Sequence, residues 1–232
     1  MDLSRRSEMP EMMDDADISV LDYAQALRDL ATVNRITRTH APVLAWLRRA
    51  TRDWPEGRAV SVLDVASGQG DLLRAIHSWA TRRGLMPMLS GIDLNPRSAI
   101  EAVAATPTGT VIAWKTGDVF DQAPEPKPDF VVSSQFAHHL TDDQVVAFLL
   151  WLERNSRRGW FIADLHCHTL PYYGFRLLCR AAGWHRIVRL DGTVSIARGF
   201  RTPEWRALLA RAGLNASISW HLLFRLCVGR LK

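Results

Sequence analysis

The sequence predicts a doubly wound α/β domain with a mostly parallel sheet, and three observations carry that prediction. From Ala59 to about His166, short apolar runs alternate with helical stretches, the order that builds strand-helix-strand crossovers. The runs are nearly continuous in apolar residues, as strands covered on both faces are, instead of alternating with polar ones. The first run ends in an acidic residue and passes through a glycine-rich turn into a helix, which is where such sheets bind ligands.

Residues 1–16 are polar, acidic and Met-rich without periodicity, and read as a flexible tail. Residues 17–58 read as an N-terminal helical cap. One helix over about 17–31 places Ile18, Leu21, Leu27 and Leu30 on one side, and a second over about 39–52 does the same with Val43, Leu44 and Leu47 beyond Pro42. The main domain spans 59–232. Its strand runs are AVSVLDV, MPMLSGIDL, TVIAWKTGDVF, DFVVSSQF and GWFIADLH, with helices over Gly70–Arg82, Pro96–Ala105 and 142–155 between them. DQAPEPKPD, 121–129, is an extended surface loop before the fourth strand. The alternation then breaks. HRIVRLDGTVSIARGF contains Asp191-Gly192, a plausible hairpin turn, and a helix starts near Pro203. NASISWHLLFRLCVGR supplies two strands with a turn near Trp220 to Leu222, an antiparallel hairpin that brings the sheet to seven strands.

Composition narrows the class. A chain of 232 residues, 47% hydrophobic and 23% charged, buries about 70% of its unfolded surface and needs no disulfide or structural metal. Its three cysteines, at 167, 179 and 227, contain no CxxC pair. No apolar run reaches membrane-spanning length and the N-terminus lacks an apolar signal segment, so the expectation is a cytoplasmic protein without a membrane span, monomeric or homodimeric. The +5 net charge invites a nucleic-acid reading, but lysine occurs only at 115, 127 and 232 and the arginines are scattered. An arginine-rich solvated surface is the better account, and no nucleic-acid partner is expected.

The strongest chemical signal is VLDVASGQGDLLRAI, 62–76, where Asp64 precedes the turn Ser67-Gly68-Gln69-Gly70. Glycines there let the backbone approach a ligand closely. No GK[ST] follows, so this is not a P-loop, and the third glycine of a dinucleotide fingerprint is replaced by Leu73. Asp93 ends the second run, where a carboxylate accepts hydrogen bonds from both hydroxyls of a ribose. Asp118 follows the third run, placed to accept from an adenine amino group while Val119 packs beside the ring. Any one of these acids fits a helix cap. Three on one rim with a glycine turn point to a nucleoside site.

These residues resemble the class I S-adenosylmethionine-dependent methyltransferases over about residues 59–228, and so imply a Rossmann-like methyltransferase fold. Asp64 to Gly70 looks like that family's first motif, with Ala66 where the family has glycine, and DFVVSSQFAHHL looks like its fourth. The resemblance implies S-adenosylmethionine as cofactor, held by Arg38, Asp64, Ala66, Ser67, Gly68, Gly70, Asp93, Leu94, Asp118, Val119, Ser134 and Gln135. Arg35 and Arg38 equally fit a solvated helix face. NRITRTH, SSQFAHHL, GWFIADLHCH and DGTVSIARGF together look like a bacterial subgroup associated with type III polyketide synthase pathways, which implies a phenolic or quinone-like aromatic acceptor. The [DNS]PP[YFW] signature of amino-methylating DNA enzymes is absent, since Ser133-Ser134-Gln135-Phe136 stands there.

Methylating a phenol calls for a base, and histidine titrates in the right range. His139 is the first candidate, followed by His138 and His166. His166 and His168 share a face if the fifth strand continues through them. No histidine or cysteine spacing matches a standard zinc site, and no metal is expected. Phe136, Tyr172, Tyr173 and Trp184 are candidates for an aromatic wall facing a sulfonium. The readings left open are O-methylation, C-methylation of the quinone-biosynthesis type, and a nucleoside-binding module without turnover.

Overall fold

The computed structural model describes residues 3, 5–15 and 17–232. Its sheet has seven strands: β1 (Ala59–Val65), β2 (Met86–Asp93), β3 (Ile112–Thr116), β4 (Phe130–Ser134), β5 (Gly159–Leu165), β6 (Ser217–His221) and β7 (Arg225–Leu231). They lie in the order β3-β2-β1-β4-β5-β7-β6. The first five are parallel, and β7 enters antiparallel between β5 and β6. The doubly wound sheet with a C-terminal edge hairpin is the architecture expected from the sequence.

Period-two alternation sorts the strand residues into two cores. Val60, Val62, Phe130, Val132, Phe161 and Ala163 face one helical layer, in which Val43 and Leu47 come from α2 (Ala41–Ala50) and Leu73 and Ile76 from α3 (Asp71–Arg82). Leu63, Val65, Val131, Trp160 and Ile162 face the other, built by Phe148 and Leu152 of α5 (Asp142–Asn155) and Trp205 of α8 (Thr202–Arg211). Full burial of one such side chain contributes about 1.5–3 kcal/mol. The helix between β2 and β3, α4 (Pro96–Ala105), starts where the Asn95 side chain accepts from the Arg97 N–H with Pro96 at the first position. α5 starts at a Thr141–Gln144 capping box.

The segments before β1 divide. α2 belongs to the layer on the sheet, whereas α1 (Val20–Ile36) lies across the rim, packed on α4 and on α7 (Arg186–Arg198). α1 runs five residues past its expected end and buries Tyr23, Ala24, Leu27 and Val33, while Leu21, expected inward, is exposed. Of the tail expected over 1–16, residues 1, 2, 4 and 16 lie outside the described residues. The described part is anchored: the N–H groups of Met12 and Met13 donate to the Asp191 carboxylate and Glu11 is buried.

Two further differences concern residues 166–200. TLPYYGFRLLCRAA, not recognised as helical, forms α6 (Thr169–Ala182), capped by His168 and ended by Gly183 in the left-handed region. Asp191-Gly192 is not a hairpin turn but the middle of α7. The buried set Ile187, Val188, Asp191, Ser195 and Ile196 has helical spacing once a neighbour covers it. The Phe175 ring of α6 packs directly on Gly192, where a Cβ would lie 2.0 Å from it. Among the described residues no helix is long and apolar enough to cross a membrane.

Candidate functional site

The carboxyl ends of β1, β2 and β4, with the loops that follow them, open into a cavity of about 940 Å3, walled on its far side by α1 and residues 11–15. Of the residues expected to form the site, Asp64, Ala66, Ser67, Gly68, Asp93, Leu94, Asp118, Val119, Ser134, Gln135, His138 and His139 all line it. Gly70 sits just behind, at φ +75°, where a Cβ would lie 2.1 Å from the Trp114 ring. Only glycine permits that approach. Two expectations are corrected. Arg38 is exposed, at a left-handed bend between α1 and α2, and is not part of the lining. His166 also lies outside it: β5 ends at Leu165 and His166 bridges to Phe200 instead, with its ring 5.7 Å from that of His168.

Asp64 is the most telling group. It is buried and one of its carboxylate oxygens has no hydrogen-bond partner among the described residues. Burial, with Asp71 and Asp93 adding to it, pushes its carboxyl well above the ordinary range. Such a group is costly unless something positively charged or hydrogen-donating meets it. The Ser134 hydroxyl on the same wall is also buried without a partner among the described residues. Asp93 holds the glycine turn from the neighbouring strand, accepting from the Gly68 N–H at 2.8 Å and from the Asn95 N–H at 3.0 Å. Asp118 caps a short turn by accepting from the Phe120 N–H at 2.9 Å, with Val119 buried behind it.

Ala66, at the position where the resemblance places glycine, has φ +58°. A left-handed conformation costs a residue with a Cβ about 1–2 kcal/mol, part of which glycine returns through its freer unfolded chain. Ala66→Gly is expected to raise the unfolding free energy by up to about 1 kcal/mol, read by urea denaturation. A loss of stability would show that the turn is not strained.

The second centre is ionic. His138 is buried with Nδ1 2.6 Å from Asp164 Oδ1 and Nε2 3.4 Å from Glu11 Oε1. Its backbone N–H also donates to Asp164. Burial favours the neutral ring, but Asp164 and Glu11 outweigh it and raise His138 to about 9. Burial likewise favours the neutral acids, yet both Asp164 and Glu11 fall below their ordinary values against the imidazolium. His139 is more open, with Nδ1 3.1 Å from Asp14 Oδ2 and Nε2 3.8 Å from Glu11 Oε2. Ligand-type atoms of Glu11, His138 and His139 lie within 4.8 Å of one another. The His138 imidazolium already pairs there with the Glu11 carboxylate.

A third chain ties α1 to the rim. Gln135 Nε2 donates to Asn34 Oδ1, Asn34 Nδ2 donates to Asp71, and His40 Nε2 meets the same Asp71 carboxylate at 3.0 Å. Burial favours protonation of Asp71, but His40 and Asn34 prevail and its carboxyl is lowered. Asn34, Asp71, Glu11 and Asp14 escaped the sequence reading. The only local signal was Asp71 opening the helix after the glycine turn; the N-terminal acids gave none. Of the expected aromatic wall, only Phe136 lines the cavity; Tyr172 and Trp184 pack around α6 and α7, and Tyr173 is exposed.

No family model and no curated protein matches the chain. Solved structures do match in shape. The structure of magnesium protoporphyrin IX methyltransferase from Synechocystis PCC 6803 with bound S-adenosylhomocysteine is 15% identical, with 94% of this chain and 90% of that chain covered at a TM-score of 0.55. Human N-acetylserotonin methyltransferase in complex with S-adenosylmethionine is 16% identical over 92% of this chain at 0.64, and this chain spans 56% of its length. The plantazolicin methyltransferase BpumL in complex with S-adenosylhomocysteine is 14% identical, with 91% and 96% covered, also at 0.64. The shared feature is the fold: this chain has the Rossmann-like architecture of these methyltransferases.

Proposed function

We propose that the chain is an S-adenosylmethionine-dependent methyltransferase acting on a small phenolic or quinone-like acceptor by O-methylation. The observation that carries the reading is the buried carboxyl of Asp64, one oxygen of which has no hydrogen-bond partner among the described residues, set beside the glycine turn and Asp93 in one cavity. That set of acceptors suits the methionine ammonium and ribose of S-adenosylmethionine: Asp64 and the turn would face the amino-acid end, Asp93 the ribose, and Asp118 with Val119 the adenine. The shared fold with enzymes crystallised with this cofactor or its product supports the same reading.

When bound, the cofactor supplies a methyl group activated by its sulfonium. The chain's own work is to position, to exclude water and to move one proton. His139 is the partly open ring on the lining and takes the acceptor's hydroxyl proton. His138, raised to about 9, already carries its proton near neutrality and acts as a fixed positive neighbour for the oxyanion that develops. Residues 11–15 and α1 cover the cavity and limit its water.

Calorimetric titration with S-adenosylhomocysteine and, separately, NAD tests the donor site. The expected outcome is binding of the former alone, weakened about 10–100-fold in Asp93→Ala through loss of charge-assisted hydrogen bonds. A folded protein that binds neither, or that prefers NAD, would sink the proposal. Mass shift after incubation with S-adenosylmethionine and simple phenols then reads the transfer itself.

A further inference from the structure

The outer face around α6 and the β6–β7 turn has a composition that the proposed chemistry does not use. On α6, Leu170, Tyr173 and Leu177 stand three and four residues apart, on one side of the helix, each 60–72% exposed. At the β6–β7 turn, Trp220, Leu222 and Leu223 are also exposed. The two parts are locked together: the His168 ring, at the start of α6, stacks on Phe224 at 5.6 Å, and the His166 N–H donates to the Phe224 carbonyl. Both lie on the carboxyl edge of the sheet, because Arg225 at the foot of the turn pairs with Leu165, which lines the cavity.

Two features say what covers this face. The turn is built against ordinary backbone preference. Leu223 and Phe224 occupy the left-handed region, at φ +60° and +59°, where a hairpin normally uses Asn or Gly. It thereby holds bulky apolar side chains at an exposed tip. The surroundings are basic: Arg176, Arg180, Arg186 and Arg189 are all exposed, and the sequence has no acidic residue between Asp164 and Asp191 and none after Glu204. An apolar helix face with a Tyr and a Trp at its margin, framed by arginines, matches the interface of an anionic bilayer, where rings and alkyl groups enter the headgroup region and guanidinium groups meet phosphate. A protein partner would need acidic groups to match the same arginines.

We propose that this face docks peripherally on anionic lipid membranes through α6 and the β6–β7 turn. The test is flotation of the full chain with vesicles of phosphatidylcholine alone and of phosphatidylcholine mixed with phosphatidylglycerol, with tryptophan emission followed in parallel. The anionic vesicles are expected to bind at least about tenfold more tightly, and added salt to weaken them. The double variant Leu222→Ser/Leu223→Gly, which also relaxes the turn, and the pair Leu170→Gln/Leu177→Gln are each expected to reduce binding about tenfold. Arg176→Gln/Arg180→Gln is expected to remove most of the preference for phosphatidylglycerol. S-adenosylhomocysteine binding should be unchanged in all three variants, so that this test and that of the cavity fail independently. Absence of binding to either vesicle, binding indifferent to these substitutions, or a dimer in sedimentation that the turn variant dissolves would overturn the proposal.

Discussion

Asp164→Ala is expected to lower the unfolding free energy by about 3–5 kcal/mol at pH 6, because it takes the nearer of two carboxylate partners from a buried imidazolium and removes the acceptor of two buried backbone N–H groups. Asp164 is fully buried, holds His138 at 2.6 Å and accepts from the His138 and Leu165 backbone N–H groups. The pH dependence follows from the direction of the shifts. His138 stands at about 9 when folded, against about 6.5 in the unfolded chain. Its contribution is therefore complete below about pH 6.5 and disappears as pH rises through about 9, an effect of up to about 3 kcal/mol. Asp164 and Glu11, lowered in the folded protein, contribute above the ordinary carboxylate range and lose that contribution as pH falls through their folded values. Denaturation at pH 6 and pH 9.5 should thus show the variant's deficit narrowing at the higher pH. Asp164→Asn, which keeps shape and one acceptor, should fall between the two proteins. A deficit that is small at pH 6, or equal at both values, would show that the pair does not carry this charge.

Turnover in His139→Ala is expected to drop about 100- to 10,000-fold, with S-adenosylhomocysteine affinity unchanged, since a general base contributes on that scale to a step and little to holding the donor. His166→Ala should alter neither quantity, because that ring is outside the cavity lining. The contrast separates an enzyme from a nucleoside-binding module. If His139→Ala turned over normally, the proton would leave by another route and the proposed base would fail. His138 is the poorer probe for this purpose. Its removal uncovers Asp164 and Glu11, so loss of rate and loss of fold would arrive together.

The acidic rim of the cavity was legible because it is local. Each of Asp64, Asp93 and Asp118 follows or ends its own apolar run, and a parallel sheet brings the ends of successive strands to one rim whatever their side chains do. The glycine turn announced itself for the same reason, although the sequence could not show that Gly70 yields to Trp114 from β3, two strands away. His138 and His139 were visible as a pair, but their roles were not. Which ring is buried, and which carboxylates meet it, depends on Asp164, twenty-six residues on, and on Glu11, more than a hundred residues back. Contacts at such separation leave no periodic trace.

The misread helices make the same point about propensity. Asp191-Gly192 has the chemistry of a turn, and only the covering by residues 12–13 on one side and Phe175 on the other makes that stretch helical. By itself the sequence determined the alternation of strands and helices in the central sheet, the placement of the acids at the strand ends and the edge hairpin, because these follow from patterns two to thirty residues long. Tertiary structure alone decided that residues 11–15 close one wall of the cavity, that His138 is an imidazolium, that Arg38 and His166 lie outside the lining, and that α6 leaves an apolar face outward. Each of those depends on desolvation and on partners distant in the chain, and neither quantity exists until the layers have packed.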